Sequence, residues 1–382
     1  MPLIGPHQQR WLRVFGATLA VLLSAAVVLS LRLPSFREPV LNFYAMKPGE
    51  IFNVYGLTRR QEGSVKLGFA EAYPGPEIGL YGNHIAAFFG AEAFGHPEDA
   101  EYFFNYSYAN LSLPEIRRYL LHVAQLNHLP KKLILIQITP PNADNGGFII
   151  DHGNELPPDI FLSTIESDER SNRLLPLVTL SWELVRNWLH EILNYNTVIM
   201  SLFQSGGYEE RTLSPANCHD TSPAWLSRVP GRLQTILGTY GGVRCVPRLW
   251  TGALRRDGSQ LVPRGEDRIP LVQNEDPLRE SDRALRAGDE HTIAREMLAI
   301  DAIGIRHGIQ VVFIVPPVYE TDRHESVVNR IFDRALALVR DVTVIDHRSM
   351  RSDPSLFEGG IHASPRYYRI LAEELRSRGF LD

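Results

Sequence analysis

The chain has 382 residues, of which 44% are hydrophobic and 22% are charged, and its formal net charge is −5. This composition excludes an intrinsically disordered chain and a polytopic membrane protein, and the net negative charge offers nucleic acid no general attraction. The sequence shows no zinc-knuckle or P-loop spacing and no repeat of fixed period. Its length suffices for one large domain or two ordinary ones.

The first predicted element is an uncharged apolar run at residues 14–31, preceded by Arg10 and Arg13. Its length is about that needed to cross the ~30 Å hydrocarbon core of a bilayer. We therefore predict that residues 1–33 form a cytoplasmic tip and a transmembrane anchor. A cleaved signal peptide is the alternative, because residues 24–26 (Ser-Ala-Ala) resemble a cleavage site. Arg32 and Arg37 follow the run almost symmetrically, so charge does not set its orientation. Either interpretation exports the rest of the chain, and we expect it on the periplasmic side of the inner membrane.

The next segment, residues 34–75, is rich in proline, glycine and aromatic residues and has no clear period. We predict a linker that packs on a domain formed by residues 76–382. The first half of that domain alternates strand and helix patterns. Strands are predicted at 78–82, 102–108 and 132–139, and a helix at 114–126.

The second half repeats this alternation. Strands are predicted at 310–315 and 342–346, and helices at 282–307, 326–340 and 365–378. Strands that alternate with helices predict an α/β fold, a three-layer α/β/α domain with a mostly parallel central sheet. Binding sites in such sheets lie at the carboxyl ends of the strands.

An insertion interrupts the domain at about residues 144–280. It contains a predicted helix at 174–203 with one apolar face, which suits packing on the domain; a membrane-surface or partner-binding face is the alternative. An arginine-rich stretch at 244–268 is interpreted as a solvated loop, or as a site for an anionic glycan or lipid headgroup. Cys218 and Cys245 are predicted to form a disulfide in an oxidising compartment, with two unrelated thiols as the alternative.

Polar motifs follow the predicted strands. They are Gly82-Asn83-His84, Ala109-Asn110, Pro141-Asn142, and a closing segment that runs from Asp353-Pro354 to His362 and Ser-Pro-Arg-Tyr-Tyr at a helix start. In this order they resemble the SGNH/GDSL hydrolase superfamily over residues 76–150 and 290–380. The subgroup suggested comprises exported single-pass proteins that modify cell-surface polysaccharides.

The resemblance implies a role for each motif. In that family a Gly-Asp-Ser or Gly-Asn-Ser turn supplies the nucleophile, a small residue and an asparagine complete the oxyanion site, and a late Asp-x-x-His supplies acid and base. The resemblance therefore implies catalytic positions at His84, Asn142, Glu358 and His362, and substrate-binding positions at Gly82, Asn83, Asn110 and Asp144.

Two positions depart from the family pattern. His84 stands where the nucleophilic serine belongs, and Gly359, with Glu358 beside it, stands where the aspartate belongs. Ester hydrolysis of this type needs a hydroxyl within hydrogen-bond reach of a histidine that a third group orients. Losing a triad member leaves only a small part of the acceleration, so both departures argue against ordinary serine-esterase chemistry.

Three roles remain open for His84 and His362, which are expected to face each other across the pocket. In the first role, the pocket is a catalytically inactive relic that still binds a glycan or an acyl group. In the second, the two histidines bind a metal ion together with Glu358 or Asp144. In the third role, Glu358 replaces the missing aspartate and His84 acts as nucleophile or base.

We favour the relic, and with it a binding or complex-assembly subunit of the cell envelope, with no cofactor and no bound metal. An active esterase or acyltransferase that acts on surface polysaccharide with altered catalytic residues is the alternative. The expected partners are the membrane, through the single helix, and a membrane-protein complex or a cell-surface glycan; nucleic acid is not expected.

Overall fold

The computed structural model describes residues 42–53, 59–108, 111–138, 156, 160, 212–213, 253–260, 287–317, 327–358 and 362–381. Apart from Ile160, these belong to one compact unit formed by Glu38–Leu156 and Tyr208–Asp382. The other unit comprises Met1–Arg37 and Pro157–Gly207.

Ten strands lie in the described part of the chain. They are β1 (Ile51–Asn53), β2 (Ile78–Gly82), β3 (Phe103–Asn105), β4 (Leu133–Gln137), β5 (Thr212–Leu213), β6 (Ala253–Arg255), β7 (Gln310–Val315), β8 (Val344–Asp346), β9 (Phe357–Glu358) and β10 (His362–Ala363). The helices are α1 (Arg59–Ala72), α2 (Leu113–Gln125), α3 (Asp289–His307), α4 (Val327–Leu338) and α5 (Pro365–Ser377).

Five strands form the central sheet in the order β3-β2-β4-β7-β8, with every neighbouring pair parallel. Strands buried on both faces read as continuous apolar runs, and β4 (LILIQ) and β7 (QVVFIV) have that pattern. The prediction of an α/β fold with a mostly parallel sheet is confirmed. The long apolar strands lie where the sequence predicted them, whereas the predicted strand at 102–108 is the shorter β3.

Helices cover both faces of this sheet. On one face, Leu80, Leu135 and Ile314 share a core with Tyr368 and Leu371 of α5. On the opposite face, aromatic side chains join the sheet to α1, which precedes β2, and to α2, which lies between β3 and β4 in sequence. These ring contacts are Phe104 with Phe69 of α1, at 4.5 Å between centroids, and Tyr81 with Tyr119 of α2, at 5.4 Å.

The predicted linker contains a helix that the sequence did not reveal. Helix α1 buries Val65, Leu67 and Phe69, and also Lys66, whose ammonium group donates to the Ser107 carbonyl. Gly63 allows the helix to approach its neighbour, because a Cβ atom there would lie 2.7 Å from the Tyr108 ring. The segment therefore packs on the sheet as part of the fold.

A second, three-stranded antiparallel sheet has the order β5-β1-β6. It joins a strand of the predicted linker to two strands from the predicted insertion. Within the described residues, no helix combines the length and the apolar character needed to cross a membrane. The predicted anchor at 14–31 and the predicted helix at 174–203 lie outside the described residues.

Candidate functional site

The strand order defines one preferred place for a ligand. From β2 the chain continues to β3 on one side and then returns to β4 on the other side, so the direction of winding changes at β2. In open α/β sheets, ligands bind outside the carboxyl ends of the strands at such a switch point. Gly82 and Gln137 end β2 and β4 and stand at the same register there. A Cβ atom on Gly82 would lie 3.0 Å from the Gln137 carbonyl oxygen, which explains the glycine.

The turn after β2 carries the predicted pocket residues Asn83 and His84. Asn83 is buried, and its Oδ1 accepts a hydrogen bond of 3.0 Å from the Ile85 amide. The backbone then forms a 3-10 helix, His84–Ala86, in which the Ala86 amide donates to the Asn83 carbonyl. Asn83 therefore shapes the turn that presents His84, whatever further part it has in binding.

The closing segment returns to this turn. Strand β10 pairs with β9 in an antiparallel hairpin, with His362 directly opposite Glu358. Strand β10 also packs against the 3-10 helix His84–Ala86, with Cα atoms within 8 Å. For His84, Glu358 and His362 the structure describes the backbone. Their segments lie side by side, while the roles predicted for their side chains stay predictions.

Helix α5 fixes the turn from the side. The Tyr368 hydroxyl donates to the Ile85 carbonyl at 3.0 Å, and its ring stacks on Phe89 at 4.3 Å between centroids. Burial raises the pKa of Tyr368, so the phenol stays protonated and keeps its donor. Ser364 caps the helix and donates to the Ser355 carbonyl, which ties the 3-10 turn before the hairpin to the start of α5.

Asn105, the last residue of β3, holds the loop that follows the turn. Its Nδ2 donates to the carbonyls of Ala86 (2.8 Å) and Phe89 (2.9 Å), and its Oδ1 accepts from the Ser107 amide. The residue is completely buried, so each of these bonds satisfies a group that water does not reach. Sequence reasoning placed Asn105 inside a strand and missed this function.

Residues 253–260, which belong to the predicted insertion, also hold the loop that follows the His84 turn. Asp257, also fully buried, accepts from the amides of Ala91 and Ser259 and from the Ser259 hydroxyl. The Gln260 amide donates to the Ala87 carbonyl at 2.7 Å. Burial raises the pKa of the Asp257 carboxyl, while the Ser259 hydrogen bonds and the Ala91 amide oppose that rise. Residues 253–260 therefore belong to the core fold next to the site.

Gln137 differs from these residues. The residue is 2% exposed, and neither Nε2 nor Oε1 makes a hydrogen bond with any of the described residues. Burial is the main cause that raises the pKa of Tyr368, and the contact of its hydroxyl with the Gln137 amide lowers it; the pair lies outside ordinary hydrogen-bond geometry. Sequence reasoning missed this amide, which has no hydrogen-bond partner among the described residues, although Gln137 is the single polar residue inside the apolar strand β4.

The other predicted positions are not described. Asn110, Asn142 and Asp144, predicted to line the pocket, and Cys218 and Cys245, predicted to form a disulfide, all lie outside the described residues. Where side chains are described, no group of three or more histidine, cysteine, aspartate or glutamate residues could hold a metal ion.

Comparison with known proteins adds no assignment. No family model matches the sequence, and no curated protein is significantly similar to it. The interpretation of the site therefore depends on its geometry and on the motifs quoted above.

Proposed function

We propose that this chain is a degenerate relative of the SGNH/GDSL hydrolases, a three-layer α/β/α domain exported to the periplasmic side of the inner membrane and held there by one N-terminal helix. In this proposal its switch-point pocket binds a cell-surface glycan, or a partner within a membrane complex, and does not perform serine-esterase chemistry. The observation that carries the proposal is the packing of the His362 strand β10 against the His84 turn at the end of β2.

That packing supports a shared pocket for the two histidines. At His84, the turn after β2 has an imidazole side chain at the position where the family has a serine hydroxyl. Without that hydroxyl there is no alkoxide for a histidine base to generate, and an acyl-imidazole would lack the usual base arrangement for its turnover. A pocket of this kind retains binding and loses most of its acceleration.

An active esterase or acyltransferase is the second candidate, and one observation favours it. Glu358 and His362 occupy directly opposed positions on β9 and β10. Residues opposed in an antiparallel pair share one face of the ladder, with Cβ atoms about 4.5–5.5 Å apart. Glu358 thus stands where a carboxylate could orient His362 in place of the missing aspartate, with His84 as nucleophile or base.

A turnover assay separates the two candidates. The full chain in detergent is incubated with p-nitrophenyl acetate, beside His84→Ser, His362→Ala and Glu358→Gln. If the chain is a binding subunit, the parent gives only the background rate of the buffer, and the serine variant gains turnover because it restores the family's hydroxyl in the turn that packs against β10. An active enzyme instead gives parent turnover that disappears in His362→Ala and falls in Glu358→Gln.

His307→Ala is the matched control. His307 is an exposed histidine at the end of α3, three residues before β7 begins and therefore at the opposite, amino edge of the sheet. Free imidazole side chains hydrolyse activated esters slowly without any site. Turnover that His307→Ala reduces as much as His362→Ala would come from such surface histidines and would count against the active enzyme.

A further inference from the structure

Large apolar side chains are exposed at the amino edge of the central sheet. Leu126 is 39% exposed, Leu338 is 48% exposed and Ile305 is 73% exposed. They lie at the C-terminal ends of α2, α4 and α3, and each helix leads into its strand through a connection that the structure describes throughout. Helix α3 packs on both α2 and α4, so the three ends lie side by side at that edge. We call Leu126, Ile305 and Leu338 the amino-edge patch.

The fold itself gives no reason for this exposure. Single exposed apolar residues are common on folded proteins. In the described part of the chain, however, four large hydrophobic residues are exposed and three of them form the patch. Arg306 and Arg340 follow Ile305 and Leu338, and cations there complement the dipoles of the helix C-termini. The dipoles account for the arginines and leave the apolar side chains unexplained.

The chain enters the domain at the same edge. The Tyr44 hydroxyl donates to the Pro74 carbonyl at 2.7 Å, just ahead of β2. Only the ten residues 32–41 separate the predicted apolar run at 14–31 from Asn42, where the described part begins. Ten residues span at most about 35 Å when fully extended. In the proposed topology, the amino edge therefore lies within that distance of the membrane.

We infer that the amino-edge patch rests on the lipid bilayer that holds the N-terminal helix, with its apolar side chains among the acyl chains and Arg306 and Arg340 at the headgroup phosphates. This inference rests on the proposed function, because it uses the predicted anchor. Arginine keeps its charged end at the headgroups while its stem lies on apolar surface. The edge beneath β3 carries the carboxylates of Glu98, Asp99 and Glu101, which favour water.

Lipid charge contributes little to this contact. At this end of the domain, the cations Lys131, Lys132, Arg306 and Arg340 exceed the carboxylates of Glu77, Asp301 and Asp341 by one. The contact therefore depends on the burial of apolar surface. With the amino edge on the membrane, the carboxyl edge and its His84 turn face away from lipid. The switch-point pocket then opens towards the periplasm, where a surface glycan or a partner would reach it.

The inference is tested by hydrogen exchange on the full chain in phosphatidylcholine nanodiscs that hold one copy each. The parent is compared with the double variant Ile305→Glu/Leu338→Glu, which places two carboxylates on the patch. Exchange is measured at the amides of residues 126–132, a loop that neither substitution changes. These amides are expected to exchange about tenfold more slowly in the parent, because two apolar side chains strengthen its contact with lipid.

Leu298→Glu is the matched control. Leu298 is also exposed on α3, but it lies seven residues before Ile305 and therefore about 10 Å further from the amino edge. This variant should exchange like the parent. Residues 347–356, at the carboxyl edge, should exchange alike in all three proteins. Faster exchange there would reveal a destabilised fold, which exposed substitutions are not expected to cause.

Three results would overturn the inference. The first is equal exchange of residues 126–132 in the parent and the double variant. The second is an equally large effect of Leu298→Glu, which would place the contact on the side of α3. The third is slow exchange that requires two copies in one disc, which would assign the patch to a second copy of the chain.

Carbonate extraction of membranes tests the predicted anchor separately. A full chain that carbonate releases would refute the anchor of the proposed function. Flotation of the released parent and the double variant with phosphatidylcholine vesicles would then decide the patch. Flotation of the parent alone would support the lipid contact, and equal flotation of both proteins would overturn it.

Discussion

Two buried amide side chains flank strand β2, and they differ in whether the described residues satisfy their hydrogen bonds. Asn105 ends β3 on one side, Gln137 ends β4 on the other, and both are almost fully buried. By the sheet register they stand beside Leu80 and Gly82, two residues of β2 that share one face. Asn105 makes three short hydrogen bonds with the backbone, and the side chain of Gln137 makes none within the part of the chain that the structure describes.

The contrast teaches that burial alone does not identify a structural role. Buried polar groups in folded proteins are satisfied in the great majority of cases, so Asn105 needs no explanation beyond the loop it holds. Gln137 breaks the rule at the position where an open α/β sheet binds its ligands. The two amides should therefore respond oppositely when each is replaced by an apolar residue.

Replacement of Asn105 by leucine should give the largest effect. The carbonyls of Ala86 and Phe89 and the Ser107 amide would lose their partner in a buried environment, so the free energy of unfolding should fall by about 3 kcal/mol or more. Thermal denaturation of the full chain, followed by circular dichroism, measures the loss. Gln310→Leu, an exposed change, should stay within about 0.5 kcal/mol of the parent. A loss below about 1 kcal/mol for Asn105→Leu would place its bonds among ordinary surface contacts.

A paired histidine at the far end of the same edge should respond at an intermediate level. His347 follows β8; its Nε2 lies 2.6 Å from Glu374 and its Nδ1 lies 3.2 Å from the Tyr367 hydroxyl, both on α5. Glu374→Ala should lower the free energy of unfolding by about 1.5 kcal/mol, because a buried imidazole loses a charged partner. Glu374→Gln keeps an acceptor and should lose less. Equal losses in both variants would show that the charge of Glu374 contributes nothing.

Replacement of Gln137 by methionine should change stability in the opposite direction. Because no hydrogen bond is lost and an unsatisfied amide is removed, the free energy of unfolding should rise by about 1 kcal/mol. The same thermal assay measures it, with Gln310→Met as the control for the chemical change. Destabilisation by more than about 1 kcal/mol would mean that the amide has a structural partner in the folded protein and would erase the contrast with Asn105.

The sequence predicted the sheet better than it predicted the elements around it. Strands such as Ile78–Gly82 and Gln310–Val315 were found because a buried parallel strand is a continuous apolar run. Helix α1 was missed because its buried side carries Gly63 and Lys66, which interrupt the apolar period. Both residues are explained only by neighbours distant in sequence, the Tyr108 ring and the Ser107 carbonyl.

The site divides in the same way. The His84 turn and the His362 strand were expected at one edge because each motif follows a predicted strand, which is local information. Asp257 was assigned to an insertion, and its bond to the Ala91 amide spans 166 residues, a distance over which no periodic pattern extends. Gln137 did leave a signal, as the one polar residue in the run LILIQ, at the end of a buried strand.

The smallest change in stability is expected at Asp353, whose carboxylate is hydrogen-bonded although it is exposed. It lies just ahead of the β9–β10 hairpin and is satisfied like Asn105, because Ser355 donates to its Oδ1 from both hydroxyl and amide, yet it is exposed. The Ser355 hydroxyl, then its amide, and the nearby Arg366 charge hold the pKa of Asp353 below its usual value. A carboxyl whose pKa is lowered by folding stabilises the fold above its unfolded pKa, and that contribution is lost as pH falls through the folded value.

An NMR titration of the Asp353 carboxyl carbon in the full chain should show the lowered pKa, and Ser355→Ala should return that pKa towards the usual value. The thermal midpoint should scarcely change, because solvent screens an exposed group; a drop as large as that of Asn105→Leu would show that satisfaction, rather than burial, sets the size of these effects.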